Sequence, residues 1–193
     1  MNPFTSPSLS PHLRRVCLLF ILSTLTACGG GGPNTRDVLI VSVSDQKLAL
    51  YQDGHLVRVY PVSTSRYGVG NTADSNRTPL GWMEVARKLG DDAPIGAVFR
   101  ARRWTGQVSP LDGGDEDLVL TRILWLTGTE AGNTNTMQRY IYIHGTNQEA
   151  RIGQPASEGC VRMTSQDVID LYDRVDPRAR VLITARRLSA PTS

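Results

Sequence analysis

The 193-residue chain is short of several things at once: it has three cysteines, three histidines and only 6% aromatic residues. A small, odd cysteine count builds no disulfide framework. A tetrahedral zinc site needs four Cys or His ligands, and beyond residue 28 the chain offers only Cys160, His144 and His55. No metal and no other cofactor is therefore expected. Long apolar runs are missing too: the longest, over residues 16–27, covers 12 positions, against the roughly 20 that a helix needs to cross a bilayer core. Charge of one sign is scarce, with a formal net charge of +3, which gives polyanion binding little support. Gly68-Val69-Gly70 is followed by neither a further glycine nor a helix start, so the chain lacks a phosphate-binding loop. What is present is an apolar fraction of 40%, enough for a core, at a length that suits one modest domain.

Residues 1–27 contain no Asp or Glu, carry Arg14 and Arg15, and then turn apolar. A basic start followed by an apolar stretch of this length has the build of an export signal. Leu25-Thr26-Ala27-Cys28, directly behind that stretch and ahead of four glycines, resembles the bacterial lipoprotein processing box. The resemblance implies that Cys28 becomes the first mature residue and carries lipid. Removing residues 1–27 leaves 166 residues with 19 Lys+Arg against 18 Asp+Glu. The mature chain is then close to neutral, and no nucleic-acid partner is expected. The chain divides into a signal peptide (1–27), a lipid-bearing Gly-rich tether (28–36), a folded domain (37–187) and a flexible tail (188–193). This places the protein in the periplasm, held to a membrane through Cys28. The outer membrane is favoured over the inner, because Gly29 lacks the Asp that in some bacteria resembles an inner-membrane retention signal.

From Asp37 onward, β-branched and apolar residues come in short runs separated by turn signals, which predicts a mainly β domain. Strands are expected over 38–43, 47–51 and 56–62, the last two joined by a hairpin at Asp53-Gly54, where both positions tolerate positive φ. Further extended segments are expected over 81–86, 97–102, 118–126, 140–144 and 180–185. In the run 140–144, alternation sets Ile141 and Ile143 on one face and Tyr140, Tyr142 and His144 on the other. One helix is predicted after Thr164, with Asp167 three residues into it, Val168, Leu171, Tyr172 and Val175 at helical spacing, and Pro177 beyond. Trp82, Trp104 and Trp125 read as packing residues.

With Cys17 removed and Cys28 acylated, Cys160 is the only free thiol, an unusual holding for an exported protein. It follows Gly159, where the backbone can turn sharply and present N–H groups to a substrate oxygen. His144 lies 16 residues upstream across a Gly-, Pro- and Ser-containing loop that can fold back onto it. A free thiol is only a few per cent ionised at neutral pH, and an adjacent imidazole can take its proton and later return it to a leaving amine. Cys160 as nucleophile and His144 as general acid and base are the minimum set for covalent acyl transfer. The carbonyl of Gly145 would suffice to fix the imidazole tautomer. Arg162, two residues after Cys160 in an extended segment, faces the same side, either for a substrate carboxylate or in a structural ion pair. Ser157 can hydrogen-bond within the site or shape a turn.

His144-Gly145-Thr146, followed by Ser157, Gly159-Cys160, Arg162 and Met163, resembles the signature of the L,D-transpeptidase catalytic domain family, and Thr78-Pro79-Leu80-Gly81 is similar to a second element of it. The resemblance covers roughly residues 37–185 and implies a β-rich α+β fold: a mixed β-sandwich or partly open barrel with one helix after the catalytic Cys. It also implies an activity, in which Cys160 attacks the carbonyl of the third residue of a peptidoglycan stem peptide, a diamino acid. D-alanine leaves, and the acyl group passes to an amine on a neighbouring stem or another acceptor, cross-linking the wall or attaching a protein to it. Many members carry His immediately before Gly-Cys, where this chain has Glu158. A carboxylate there would tune the site or its acceptor specificity: it could orient His144, meet the amine of a diamino acid, or oppose thiolate formation. Two other readings are a cysteine carboxypeptidase or cross-link hydrolase on the same fold, and a non-catalytic wall-binding lipoprotein.

Overall fold

The computed structural model describes residues 37–114 and 116–188. The export segment, Cys28 and the tether lie outside the described residues, as do Asp115 and residues 189–193. The strands are β1 (Val38–Ser42), β2 (Lys47–Gln52), β3 (His55–Pro61), β4 (Gly81–Leu89), β5 (Ala97–Arg100), β6 (Arg103–Val108), β7 (Val119–Gly128), β8 (Tyr142–Gly145), β9 (Val161–Met163) and β10 (Arg180–Thr184), with one helix, α1 (Ser165–Arg174). A short 3-10 turn covers Glu149–Arg151.

The ten strands form one mixed sheet in the order β3-β2-β1-β10-β4-β7-β5-β6, and β8 and β9 branch from β7. Of the expected forms, the sheet is open rather than a closed barrel. Two pairings are parallel, β1 with β10 and β8 with β9, and the rest are antiparallel. The β2–β3 hairpin turns at Asp53 (φ 51°) and Gly54 (φ 82°), the left-handed pair that matches the twist of its strands.

Alternation along the strands sends Leu39, Val41, Leu48, Leu50, Met83, Val85, Leu124, Leu126, Ile141, Ile143 and Val161 into one continuous core. Helix α1 closes that core with Val168, Leu171 and Tyr172. Its N-terminus is capped by Thr164, whose Oγ1 accepts from the Asp167 N–H at 3.1 Å. At the other end Lys88 Nζ donates to the carbonyls of Tyr172 (2.6 Å) and Val175 (2.7 Å), supplying positive charge where the helix dipole is negative. A second, smaller cluster of Ala97, Phe99, Ile123 and Tyr142 has Cys160 packed against it.

Several expectations are corrected. The segment 81–86 is the start of a strand that runs on to Leu89. Strand β6 has no counterpart in the sequence reading: every residue in it is exposed, so it carries no apolar alternation to detect. Tyr140 falls outside β8 because its φ of 56° breaks the extended run. Trp104 does not pack in a core, being 48% exposed on β6. Leu188, expected in the tail, is tied down by donating its N–H to Asp45 Oδ2 at 2.7 Å.

Leu124 sits at the centre of β7, fully buried in the main core. Replacing it by Ala removes buried methyl groups and leaves a cavity, so Leu124→Ala is expected to lower the unfolding free energy by about 2–5 kcal/mol in urea titration with little change in the m-value.

Candidate active site

The site forms where β8 and β9 run parallel. The register pairs Ile143 with Val161, His144 with Arg162 and Gly145 with Met163. Paired residues of parallel strands share a face. Ile143, Val161 and Met163 enter the main core, while Tyr142 and Cys160 go to the smaller cluster on the opposite side. His144 therefore stands on the same face as Tyr142, with their rings edge to face at 6.4 Å between centroids. Cys160 lies on this face as well, one position before β9: its Sγ accepts from the Tyr142 N–H at 3.4 Å and its S–H donates to the Tyr140 carbonyl at 3.4 Å.

Three features of the loop before Cys160 aim the thiol. Gly159 has φ 120°, in the region that favours glycine. Ser157 Oγ donates to the Cys160 carbonyl at 2.7 Å and accepts from the Gly159 N–H at 3.3 Å, closing the turn from inside. Thr78 Oγ1 donates to the Gly159 carbonyl at 3.0 Å and accepts from the Ser65 N–H at 2.9 Å, so the distant Thr-Pro-Leu-Gly element is a strut beneath the Cys160 loop.

The imidazole of His144 is buried, and its Nδ1 lies 2.7 Å from the Gly145 carbonyl. That oxygen can only accept, so the proton is on Nδ1 and Nε2 keeps its lone pair. Gly145 is in turn required by packing: a Cβ there would fall 2.9 Å from the Leu120 carbonyl, 3.2 Å from Ser165 Oγ and 3.3 Å from Thr121 Cβ. Strand β7 comes this close because it bulges: Leu120 pairs with Gly145 and Ile123 with His144, leaving Thr121 and Arg122 extra between them. Thr121, β-branched yet at φ 69°, is held there by a hydrogen bond between its Oγ1 and Ser165 Oγ (2.8 Å) and by one that Oγ1 accepts from the Gly96 N–H (3.0 Å).

Arg162 is fully buried, and its Nη1 donates to Asp117 Oδ1 and Gln148 Oε1, each at 3.0 Å. Of its two sequence readings, the structure contains the internal ion pair. Glu158 does not reach His144: its carboxylate pairs with Arg66, and both side chains are partly exposed. The Arg66–Glu158 pair borders a cavity of about 660 Å³ that also meets Asp117, Gln148 and Arg151. Sequence reasoning missed Asp117, Arg66 and Thr121, whereas it sets Tyr142 on the face of His144. The partners of those three are distant along the chain, and none belongs to a local motif.

Burial governs the electrostatics. Desolvation pushes the Cys160 thiol up to about 12, with the charge of Asp117 adding to the rise, while the Tyr142 N–H, Arg162 and Arg139 act the other way. Desolvation likewise holds His144 below the usual imidazole value, against the opposing pull of Asp117 and the Gly145 carbonyl. Both groups are therefore neutral at rest near pH 7. The arrangement is a neutral thiol with a neutral imidazole on the neighbouring strand.

The model of the YkuD family, the L,D-transpeptidase catalytic domain, matches residues 36–183, a span that contains every residue of this site. The chain belongs to the L,D-transpeptidase catalytic domain family. Within it, the chain is 30% identical to YqjB of Bacillus subtilis over 170 residues, covering 88% of this chain and 84% of that protein. It is 51% identical to YkuD of Bacillus subtilis over 146 residues, covering 75% of this chain and 64% of that protein. The fold is that of L,D-transpeptidase 3 from Mycobacterium tuberculosis, solved in complex with a faropenem-derived adduct, with a TM-score of 0.51 and 19% identity over 79% of this chain and 61% of that one.

Two outcomes follow from the charges. The rate of Cys160 alkylation by iodoacetamide is expected to climb about tenfold per pH unit from pH 7 to 10 without a plateau, since the thiol titrates near 12; a plateau above neutrality would reveal a preformed ion pair. The negative charge of Asp117 raises the pKa of both His144 and Cys160, so Asp117→Asn should move both titrations down, as read by NMR of the imidazole protons and by the alkylation profile.

Proposed function

We propose that the chain is an exported L,D-transpeptidase that acts on peptidoglycan stem peptides through an acyl-enzyme on Cys160. The observation that carries this reading is one thiol and one tautomer-fixed imidazole on a single face of the β8–β9 pair, within a domain of this family. As sulfur attacks the carbonyl of the third stem residue, Nε2 of His144 takes the thiol proton. The Cys160 backbone N–H, just after the Gly159 turn, receives the developing oxyanion, the Gly159 N–H being given to Ser157 Oγ. Collapse breaks the bond to D-alanine, whose amine leaves with the proton from the imidazolium. An acceptor amine then loses a proton to neutral His144, attacks the thioester and restores the thiol. The acceptor is a second stem, or a protein being joined to the wall.

Neutral resting forms suit this cycle. Charge appears only as the substrate carbonyl polarises, so stabilisation falls on the transition state rather than on the free enzyme. Glu158 supports the same reading, because Arg66 engages its carboxylate and so offsets the repulsion it would exert on an ionising sulfur. Around this domain, the export segment and the lipid at Cys28 would hold the enzyme at the periplasmic face of a membrane, with the outer membrane favoured.

The test is intact-mass analysis of residues 29–193 incubated with a tetrapeptide-stem muropeptide. An adduct lighter than the added peptide by one D-alanine is expected on the wild type and absent from Cys160→Ala, with cross-linked dimer appearing when an acceptor amine is supplied. Free tripeptide without dimer would mark a hydrolase; no adduct and no D-alanine would remove the enzyme reading. His144→Ala should lower the acylation rate by about 10²–10⁴-fold.

A further inference from the structure

The β5–β6 hairpin turns at Ala101 and Arg102, whose φ angles are 47° and 66°. Two-residue turns of this kind are ordinarily built from Asn-Gly, Asp-Gly or Gly-Gly, because other side chains crowd the backbone at positive φ. Here neither position has such a residue. The strained conformation delivers the Arg102 guanidinium onto an aromatic platform, 4.9 Å from the Trp125 ring centroid and 4.8 Å from that of Tyr140. One N–H reaches Tyr142 Oη at 3.5 Å. Among the described residues no carboxylate pairs with it.

A guanidinium has five N–H donors, and stacking on rings occupies its face while leaving its edge free. A cavity of about 240 Å³ lies against that edge, between Arg102, Phe99, Val119, Tyr140 and Tyr142. Cys160 does not line this cavity but contacts residues that do, since its sulfur touches the Tyr140 carbonyl and the Tyr142 N–H and packs on the Phe99 and Tyr142 cluster. Four other arginines around the site are already committed. Arg66 pairs with Glu158, Arg100 with Glu116 and Arg162 with Asp117, while Arg139 donates to the carbonyls of Gly70 and Arg77. Arg102 is a ring-stacked cation, hydrogen-bonded to tyrosine but to no carboxylate among the described residues, on the side of the sheet where Cys160 packs.

We propose that Arg102 anchors a carboxylate of the peptide substrate and so sets which peptides are presented to Cys160. The inference rests on the acyl-transfer reading above. Two sources could supply the carboxylate: the terminal group of the departing D-alanine, or a side-chain carboxylate on the third residue. Either would form a charge-assisted, forked pair with the free edge of the guanidinium, and the aromatic platform would hold that edge in plane. The backbone strain at the turn is explained by this placement, since Asn-Gly would relieve the turn and lose the cation.

The experiment compares three tetrapeptide stems: the free acid, its C-terminal amide, and a stem amidated at the side-chain carboxylate of the third residue. Acylation of Cys160 is followed by intact mass at varied peptide concentration. In the wild type one of the two amides should react about 10–100-fold less efficiently than the free acid, with the loss in KM, and that amide identifies the carboxylate. Arg102→Gln should bring the free acid down to the level of that amide and abolish the discrimination, while Arg102→Lys should restore part of it. A wild type that treats all three peptides alike, or an Arg102→Gln variant that slows all three by the same factor, overturns the proposal and leaves Arg102 as a hairpin latch. Should Arg102→Gln fail to fold, Arg102→Lys decides: a narrowed preference for acid over amide supports the anchor, and an unchanged preference overturns it. Absence of any adduct on the wild type is a separate outcome that overturns the acyl-transfer reading itself and this proposal with it.

Discussion

The parallel register of β8 against β9 is the constraint on which everything at the site depends. It sets His144 opposite Arg162 and, by alternation, lays Cys160 on the same face while Ile143, Val161 and Met163 point into the main core. A slip of one residue would exchange the two faces, sending the thiol into the core and an aliphatic side chain into the site. The sheet defends this register with buried groups on both sides. Core residues fix one face, and on the other the buried Arg162 is satisfied at Nη1 only if Asp117 and Gln148 are where this register puts them. Removing one partner of such a pair leaves an uncompensated buried charge, which is costly enough to make the register close to all-or-none.

The same burial that protects the register sets the chemistry. Partial burial of Cys160 and full burial of His144 favour the neutral form of each, so the thiol is pushed up and the imidazole down. A nucleophile of this kind is poorly reactive toward solutes that cannot reach the base and the turn at Gly159 together. Selectivity then comes from assembly of the substrate with both groups, rather than from a permanently ionised sulfur. A thiol kept neutral is also protected, because oxidation follows thiolate character.

Much of this was legible in the sequence, for local reasons. Strands announced themselves by alternation, the β2–β3 turn by Asp53-Gly54 and the helix by Thr164 with Asp167, because each signal and its cause lie within a few residues of each other. The order of His144 and Cys160, with glycine beside each, was likewise a local pattern. What stayed hidden depends on partners far along the chain. Arg66 meets Glu158 across 92 positions, and Thr78 meets Gly159 across 81. Strand β6 stayed hidden because it is exposed throughout and its turn uses residues that ordinarily avoid positive φ. The two possible roles of Arg162 look identical in sequence, since only the position of Asp117 separates them.

Four of the non-glycine residues at positive φ, Ala101, Arg102, Thr121 and Tyr140, lie in or beside the elements around the thiol. Such conformations persist only where the surroundings over-determine them, and here each has a stated hold or product. Thr121 is pinned by Ser165 and Gly96, while Tyr140 is pinned between Trp125 and Arg102. The dependence runs backward from the chemistry without a gap. An imidazole whose Nε2 keeps its lone pair needs its proton on Nδ1, and that proton needs the Gly145 carbonyl. Gly145 can be nothing larger because β7 bulges against it, and the bulge exists because Thr121 accepts a left-handed backbone. A β-branched residue in an unfavourable conformation, two strands away from the sulfur, is thus part of what fixes the tautomer of the imidazole.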